Sequence, residues 1–282
     1  MEAWNCLTAS GTFCSNRQMP GPEARAVAVN LLAALRFFGR ALAGSEIQDL
    51  PDVALIFCGL NYAAFNAALV SGPLDNDTTK LLRLIQSAAL RFNARNLRWT
   101  CWLCDDFVNG DLRHESVRLF ARNGLRPLTE APGMYAENLE APRRELPALE
   151  VQPVADAAMR KAFARIMSVG FEIPENICLA VYGSERAWTG DFRGYVGIAG
   201  GTPVATAGAC ITGDTVGLYS VATVPAYRRH GYAEAIMRAA VKDAQTRAGV
   251  SRSVLQSTRS GLSLYQQMGY RVVTNFSVYI AD

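Results

Sequence analysis

The segment from Tyr195 to Ala240 constrains the fold of this chain more than any other part of the sequence. It begins YVGIAGGTPVATAGACITGDTVGLYSVATV, with turn signals at Gly200-Gly201 and Gly213-Asp214, which predicts a meander of three strands. The chain then turns at Pro225 and continues into an alanine-rich helix. A strand that leads through a short loop into a helix favours an α/β fold with a mixed sheet.

Helical and strand-like segments alternate through the rest of the chain. Helices are predicted at 22–44, 77–96, 114–124, 156–168 and 261–269, and strands at 52–59, 97–104, 149–154 and 251–258, with a final strand pair in 270–281. The uncharged stretch from Val53 to Leu74 is long enough for a membrane span. Its Asn61, Asn66 and Pro73 favour a strand, a turn and a second strand instead.

Composition argues against a nucleic-acid or membrane partner. Charged residues make up 19% of the 282 residues, the net charge is +3, and no concentrated basic run is present. The first residues contain Glu2 and no basic region, so no signal peptide is predicted and a cytoplasmic location is expected.

The seven cysteines do not suggest a disulfide framework in a chain of this length. Cys101 and Cys104, in CWLC, have the spacing of half a zinc site, but no second such pair follows. Residues three apart on a strand face opposite sides. We therefore expect buried, reduced thiols and no metal.

The two halves of the chain are similar. Val117–Arg126 (VRLFARNGLR) aligns with Leu262–Arg271 (LSLYQQMGYR), and both segments follow a predicted strand. A proline-rich stretch, with prolines at 132, 142, 147 and 153, is the best candidate for a linker. The predicted domains are 1–146 and 147–282.

The sequence VPAYRRHGYAEA, from Val224 to Ala235, has the chemistry of a pyrophosphate site. A helix N-terminus presents free backbone N–H groups and the positive end of the helix dipole. Gly231 allows a close approach of the backbone, and Arg228 and Arg229 add forked donors for phosphate oxygens. A solvated basic turn is the alternative for these residues taken alone.

The second half resembles the GCN5-related N-acetyltransferases (the GNAT family). The family's cofactor loop, Arg/Gln-x-x-Gly-x-Gly/Ala, corresponds to Arg228–Ala233, and Pro225 precedes it at the expected spacing. The family's late motif, Leu-Tyr-x-x-x-Gly-Phe/Tyr, corresponds to Leu264–Tyr270. The resemblance covers about 149–282 and implies a mixed-sheet GNAT fold. The first half resembles the degenerate N-terminal lobe of tandem bacterial members.

The resemblance also implies roles for individual residues. Val221, Ala222 and Thr223 would lie at the end of the family's fourth strand. This strand end would pair with the pantetheine arm of acetyl-CoA or another acyl-CoA, and a backbone N–H there would polarise the thioester carbonyl. The family often has an asparagine seven residues before its late tyrosine, but Thr258 stands there in this chain. The cofactor-binding positions are Val221, Ala222, Thr223, Arg228, Arg229, His230, Gly231, Tyr232, Ala233 and Thr258.

Tyr265 stands where the family keeps its general acid, which protonates the departing thiolate of coenzyme A. Packing between the helix and the next strand is the alternative role. The sequence does not identify the general base. Glu172 and Tyr219 are candidates, and neither is assigned to the catalytic set. His114 and His230 are not expected to act as catalysts.

The first half lacks the same features. Phe120 occupies the position of Tyr265, and no arginine-rich glycine loop occurs in SGPLDNDTTK (Ser71–Lys80). The resemblance therefore implies two tandem lobes of which only the C-terminal one is active, transferring acetyl from acetyl-CoA to a primary amine of a small molecule. The alternatives are a non-catalytic acyl-CoA sensor or scaffold, and a protein or peptide N-acetyltransferase. The oligomeric state is left open.

Overall fold

The computed structural model describes residues 20–281, which form one eleven-stranded mixed sheet with α-helices packed against it. The first half contains α1 (Pro22–Leu35), β1 (Glu46–Leu50), β2 (Val53–Phe57), β3 (Ala67–Val70), α2 (Thr78–Asn93), β4 (Thr100–Cys104), α3 (Gly110–Arg122) and β5 (Leu125–Ala136). The second contains β6 (Glu150–Pro153), α4 (Ala157–Phe171), α5 (Glu175–Tyr182), β7 (Phe192–Ala199), β8 (Thr202–Thr212), β9 (Thr215–Thr223), α6 (Tyr232–Ala248), β10 (Arg252–Gln256), α7 (Leu262–Gln267) and β11 (Arg271–Ala281).

The predicted meander is present as β7, β8 and β9, and its three turn glycines have positive φ angles. The strand–turn–strand prediction for Val53–Leu74 is confirmed by β2 and β3. No helix in residues 20–281 is both long and apolar enough to span a bilayer. Cys6, Cys14 and the N-terminal stretch examined for a leader lie outside the described residues.

The order of the strands joins the two halves in the middle of the sheet. It runs β1-β2-β3-β4-β11-β5-β10-β9-β8-β7-β6. Strand β5, from the first half, lies between β10 and β11, while β11, from the second half, lies between β4 and β5. Each half thus contributes a strand to the sheet of the other. The domain boundary after residue 146 remains a prediction, and the sheet continues across it.

The predicted linker was wrong at its start, because Pro132 lies inside β5. The Pro132 carbonyl accepts a hydrogen bond from the Ser257 backbone N–H at 2.8 Å. In an antiparallel strand the nitrogen of a residue points to the same side as its carbonyl, so the Pro132 nitrogen faces the region just beyond the end of β10. The proline therefore costs no hydrogen bond to β11.

The predicted strand pair at the C-terminus was also wrong. Arg271–Ala281 is one strand, and the segment contains no glycine or proline to form a turn. Irregularities in its register, between Val272 and Thr274 and between Val278 and Tyr279, adjust its pairing with β5. Strand β1 and helix α5 were not predicted.

Asn30 fastens the first half to the sheet of the second. Helix α1 packs against β8, β9, β10, β5 and β11. The fully buried Asn30 amide donates to the Cys210 carbonyl at 3.1 Å and to the Thr212 hydroxyl at 2.8 Å, and its oxygen accepts from the Tyr219 hydroxyl at 2.7 Å. A Cβ on Gly217 would lie 1.7 Å from the Asn30 oxygen, so only glycine permits this contact.

We predict that Asn30→Ala lowers the free energy of unfolding by about 2–3 kcal/mol, because three polar groups lose their partner in a shielded interface. Urea unfolding of the whole chain measures the effect. Val29→Ala is the matched control, because Val29 is 51% exposed on the same helix. Equal midpoints for the two variants would show that the Asn30 network contributes nothing to the attachment of α1.

Candidate functional site

The parallel strands β9 and β10 separate at their carboxyl ends. They pair only from Thr215 opposite Arg252 to Leu218 opposite Leu255. Beyond Leu218, β9 continues to Thr223 beside β8 alone. This part of β9 therefore has one edge that no described strand covers. Ligands of α/β sheets bind beyond the carboxyl ends of strands, at such points of divergence.

A β-bulge turns the end of β9. The pairing with β8 shifts between Gly208 opposite Tyr219 and Thr206 opposite Ala222, which places two residues of β9 opposite one of β8. Ser220, inside the bulge, has a φ of +50°, and its carbonyl accepts a hydrogen bond from the Thr206 hydroxyl at 2.9 Å. The sequence offered no signal for this bulge, because serine does not mark a left-handed conformation as glycine does.

The three predicted residues of β9 lie at this uncovered end. Ala222 is buried and faces the end of α4, where a Cβ on Gly170 would lie 2.8 Å from the Ala222 Cβ. Val221 packs on the opposite side of the sheet, in the core beneath α6. The Thr223 carbonyl accepts a hydrogen bond from Arg228.

The N-terminus of α6 has no side-chain cap. Gly231 is its N-cap residue with a φ of +94°, and no side chain bonds the first turn. By contrast, Asp77 caps α2 and Asp156 caps α4, each accepting a backbone N–H within 2.9 Å. The free N–H groups at Tyr232, Ala233 and the next residue are therefore available to an anion.

The two arginines of the loop have different surroundings. Arg228 donates from Nε to the Thr223 carbonyl at 3.1 Å and from Nη2 to the Gly170 carbonyl at 3.2 Å, so it links the end of β9 to the end of α4. Arg229, whose φ is +71°, forms no hydrogen bond or ion pair within residues 20–281. Its exposed guanidinium is thus available to a ligand, whereas that of Arg228 is partly engaged.

His230 is exposed, and its ring lies 6.3 Å from the Tyr232 ring. Glu234 would place a negative charge in the first turn of α6, but it is buried in an ion pair with Arg238 at 2.7 Å. The charge of Arg238 thus neutralises that of Glu234, the one carboxylate in the first turn of α6.

Tyr265 lies in α7 with its ring against Gly261, where an added Cβ would be 2.6 Å from the ring. The Tyr270 ring meets it edge-on at 6.2 Å. Burial raises the pKa of Tyr265 to about 12, so the hydroxyl keeps its proton at neutral pH. This hydroxyl has no hydrogen-bond partner among the described residues, which leaves it free for a ligand.

Thr258 serves its own loop. Its hydroxyl lies 3.0 Å from the Ser260 hydroxyl and accepts from the Gly261 backbone N–H at 3.3 Å, just before α7 begins. Thr258 is exposed, so the contact expected of it with a cofactor would have to compete with these bonds.

The structure separates the two candidate bases. The Tyr219 hydroxyl donates to Asn30, and burial raises the pKa of Tyr219 well above its ordinary value. A phenol that holds its proton so firmly is unsuited to act as a base at neutral pH. Glu172 is exposed at the end of α4, in the left-handed conformation with a φ of +56°.

Gln256 was missed by the sequence analysis. It is the last residue of β10 and pairs with Gly133, beside the point where β9 and β10 separate. Both polar atoms of its carboxamide are buried without a protein partner in the described residues. Buried polar groups are rarely left without a partner, so this side chain is a candidate ligand contact. A single glutamine at a strand end carries no signal in the sequence.

The corresponding position of the first half is closed. After β3 and β4 the chain forms a direct hydrogen bond from the Leu74 N–H to the Phe107 carbonyl at 2.9 Å, and Leu74 is fully buried. Phe120, the counterpart of Tyr265, is also fully buried and stacks on Tyr279 with ring centroids 3.8 Å apart. Side chains of the chain itself therefore fill the space that the second half leaves open.

The cysteines of the described region are buried and unpaired with one another. Cys101 and Cys104 both lie on β4, and burial raises the pKa of Cys101 to about 12. In residues 20–281 no group of three or more His, Cys, Asp and Glu side chains is placed to bind a metal ion.

Comparison with known proteins identifies a family for part of the second half. The model of the acetyltransferase (GNAT) family matches residues 157–270. A comparison with curated protein sequences gave no significant match.

Several solved structures share the fold over most of the chain. A GCN5-related N-acetyltransferase from Kribbella flavida superposes with a TM-score of 0.68 at 18% identity, covering 93% of this chain and 96% of its own. One from Sphaerobacter thermophilus gives 0.56 at 18% identity, covering 94% and 95%. A tandem GNAT protein from the clavulanic acid biosynthesis pathway gives 0.53 at 10% identity, covering 81% and 78%.

These structural matches show that the tandem GNAT fold extends over both halves, and the family match identifies the half that carries the acetyltransferase sequence. The family uses acetyl-CoA and acts on an acceptor substrate. Residues 157–270 thus match the GNAT family of acetyltransferases, and the chain as a whole has the fold of tandem GNAT proteins.

Proposed function

We propose that the C-terminal lobe transfers an acetyl group from acetyl-CoA directly to the primary amine of a small molecule. The observation that carries this proposal is the uncapped N-terminus of α6 next to the uncovered end of β9. The N-terminus of α6 supplies donors for a pyrophosphate, and the end of β9 supplies backbone groups for an extended amide-containing arm. Their proximity along the chain, from Thr223 to Gly231, suits a single ligand that spans both.

The chemistry proposed for the site is a direct substitution. The amine nitrogen forms a bond to the thioester carbon, the carbon–sulfur bond breaks, and the sulfur leaves as a thiolate. Backbone N–H groups at the end of β9 would stabilise the charge on the carbonyl oxygen. Tyr265 would give its proton to the departing thiolate, since its hydroxyl has no partner among the described residues and is protonated at neutral pH. The proton lost by the amine would pass to a base that is not assigned.

The first half supports this reaction without binding a cofactor of its own. Its α1 lies across β8, β9 and β10, so it forms part of the surroundings of the separated strands. The closed position around Leu74 and Phe107 leaves no counterpart of the opening between β9 and β10. We infer that the first lobe positions the sheet of the second and helps to shape the acceptor site.

The direct test of the function is an assay of free thiol release from acetyl-CoA with a panel of primary amines. The panel should include diamines, aminoglycosides, amino acids and a peptide with a free N-terminus. We expect thiol release that depends on one small amine, with stoichiometric formation of its N-acetyl product. Tight binding of acetyl-CoA with no release for any amine would favour the sensor, and release with the peptide alone would favour a peptide acetyltransferase.

We predict one acetyl-CoA bound per chain, because within residues 20–281 an open helix N-terminus lies beside separated strands in the second half alone. Isothermal titration of the whole chain measures the stoichiometry. The informative control is Leu74→Ala, which opens the closed position of the first half. Two equivalents bound by the parent protein would overturn the assignment of a single active lobe.

We predict that Tyr265→Phe lowers the turnover number by about 10²-fold, the low end for loss of a general acid, because a thiolate can also leave unprotonated. The affinity for acetyl-CoA should change little, since the loss is felt in the transition state. Steady-state kinetics, with the amine selected by the thiol-release assay, measures the turnover number. Because the pKa of Tyr265 is raised to about 12, this group should impose no loss of rate at moderately alkaline pH.

Tyr62→Phe is the matched control for this change. It also removes one phenol oxygen, from a tyrosine of the first half that packs on Phe65 with ring centroids 5.6 Å apart. Full turnover in Tyr265→Phe would exclude Tyr265 from the mechanism, and a large fall in melting temperature would assign it to packing instead.

A further inference from the structure

We propose that Arg144, in the segment that connects the two halves, is a further pyrophosphate-binding residue of the acetyl-CoA site. This inference rests on the proposed function, because it concerns the same ligand. Arg144 lies outside the residues that match the family model, 157–270, and outside both of the sequence motifs. Its position is set by the route of the connecting segment over the second lobe.

The connecting segment is anchored beside the glycine that ends α7. The Glu140 backbone N–H donates to the Met268 carbonyl at 2.9 Å. A Cβ on Gly269 would lie 2.7 Å from the Glu140 Cγ and 3.4 Å from the Asn138 carbonyl oxygen. This close packing means that the segment is held against α7 although it contains no helix or strand between residues 137 and 149.

From there the segment passes over the N-terminus of α6. A Cβ placed on Gly231 would be 3.0 Å from the Pro147 Cδ, 3.4 Å from the Arg144 Nη2 and 3.8 Å from the Arg144 Nε. The guanidinium of Arg144 therefore lies beside the N-cap residue of α6. The proline ring packs at the same place and limits how far the neighbouring chain can move away.

The charges around Arg144 favour the binding of an anion. Its exposed guanidinium forms no hydrogen bond or ion pair within residues 20–281, and neither does that of Arg229. Both lie near the positive end of the α6 dipole, where a cation is unfavourable unless a negative group lies between. The nearby acid of the first turn, Glu234, is already paired with Arg238. A pyrophosphate would accept hydrogen bonds from the helix N–H groups and from the arginine forks together.

Arg144 also replaces hydrogen-bond donors that Arg228 does not have available for a ligand. Two of the Arg228 nitrogens bond to the carbonyls of Thr223 and Gly170. Part of its donor capacity therefore holds β9 and α4 together. The connecting segment supplies a second free guanidinium, in addition to Arg229, and the cofactor site then depends on residues from outside the family domain.

The test is isothermal titration of the whole protein with coenzyme A, 3′-dephospho-coenzyme A and pantetheine. We expect Arg144→Ala to weaken coenzyme A and dephospho-coenzyme A by the same factor, about tenfold, as expected for one charge-assisted contact. Pantetheine, which lacks the pyrophosphate, should bind the variant and the parent equally. Arg143→Ala is the matched control, since Arg143 is the exposed neighbour in sequence and faces a shallow cavity with Gln266 and Gly269.

The outcomes distinguish a failure of the proposed function from a failure of the role of Arg144. If the parent does not bind coenzyme A, the proposed function fails and the role of Arg144 fails with it. If the parent binds but Arg144→Ala binds equally well, or no more weakly than Arg143→Ala, only the role of Arg144 is overturned. A loss confined to coenzyme A, with dephospho-coenzyme A unaffected, would overturn the pyrophosphate contact and assign Arg144 to the 3′-phosphate.

Discussion

The antiparallel pairing of β5 with β11 is the interaction on which the rest of the structure depends. The two strands pair from Tyr135 opposite Arg271 to Leu125 opposite Ala281, and each comes from a different half. Each also pairs with a strand of the other half, β5 with β10 and β11 with β4. Removing either half would therefore leave long strand edges without hydrogen-bond partners, which proteins avoid.

This exchange of strands leaves the two outer parts of the sheet free to differ. In the second half, β9 departs from β10 after Leu218, and a bulge at Ser220 turns its end. In the first half, the Leu74–Phe107 hydrogen bond closes the corresponding place, and the side-chain cap of Asp77 occupies the N-terminus of α2. One architecture thus provides an open site in one lobe and a filled one in the other.

Local patterns made the central part of the candidate site predictable. The meander, the arginine–glycine loop and the start of α6 follow one another in 195–240, and their turns require residues that the sequence shows directly. The structure places Gly231 at a positive φ, and it leaves the helix end without a side-chain cap. The terminal strand and the start of the linker were misread, because the pairing of β11 and Pro132 depends on strands that are distant in sequence.

The sequence by itself determined which residues carry the chemistry proposed for the site, because glycine, arginine and tyrosine keep that chemistry wherever a short loop or helix presents them. Only the tertiary structure decided which of these groups are free. Arg228 is engaged by carbonyls of β9 and α4, Tyr219 is held by Asn30, and Arg144 and Gln256 reach the site from elsewhere in the chain. The physical reason is that a hydrogen-bond partner or a covering helix comes from distant segments, whose approach depends on packing and leaves no local pattern.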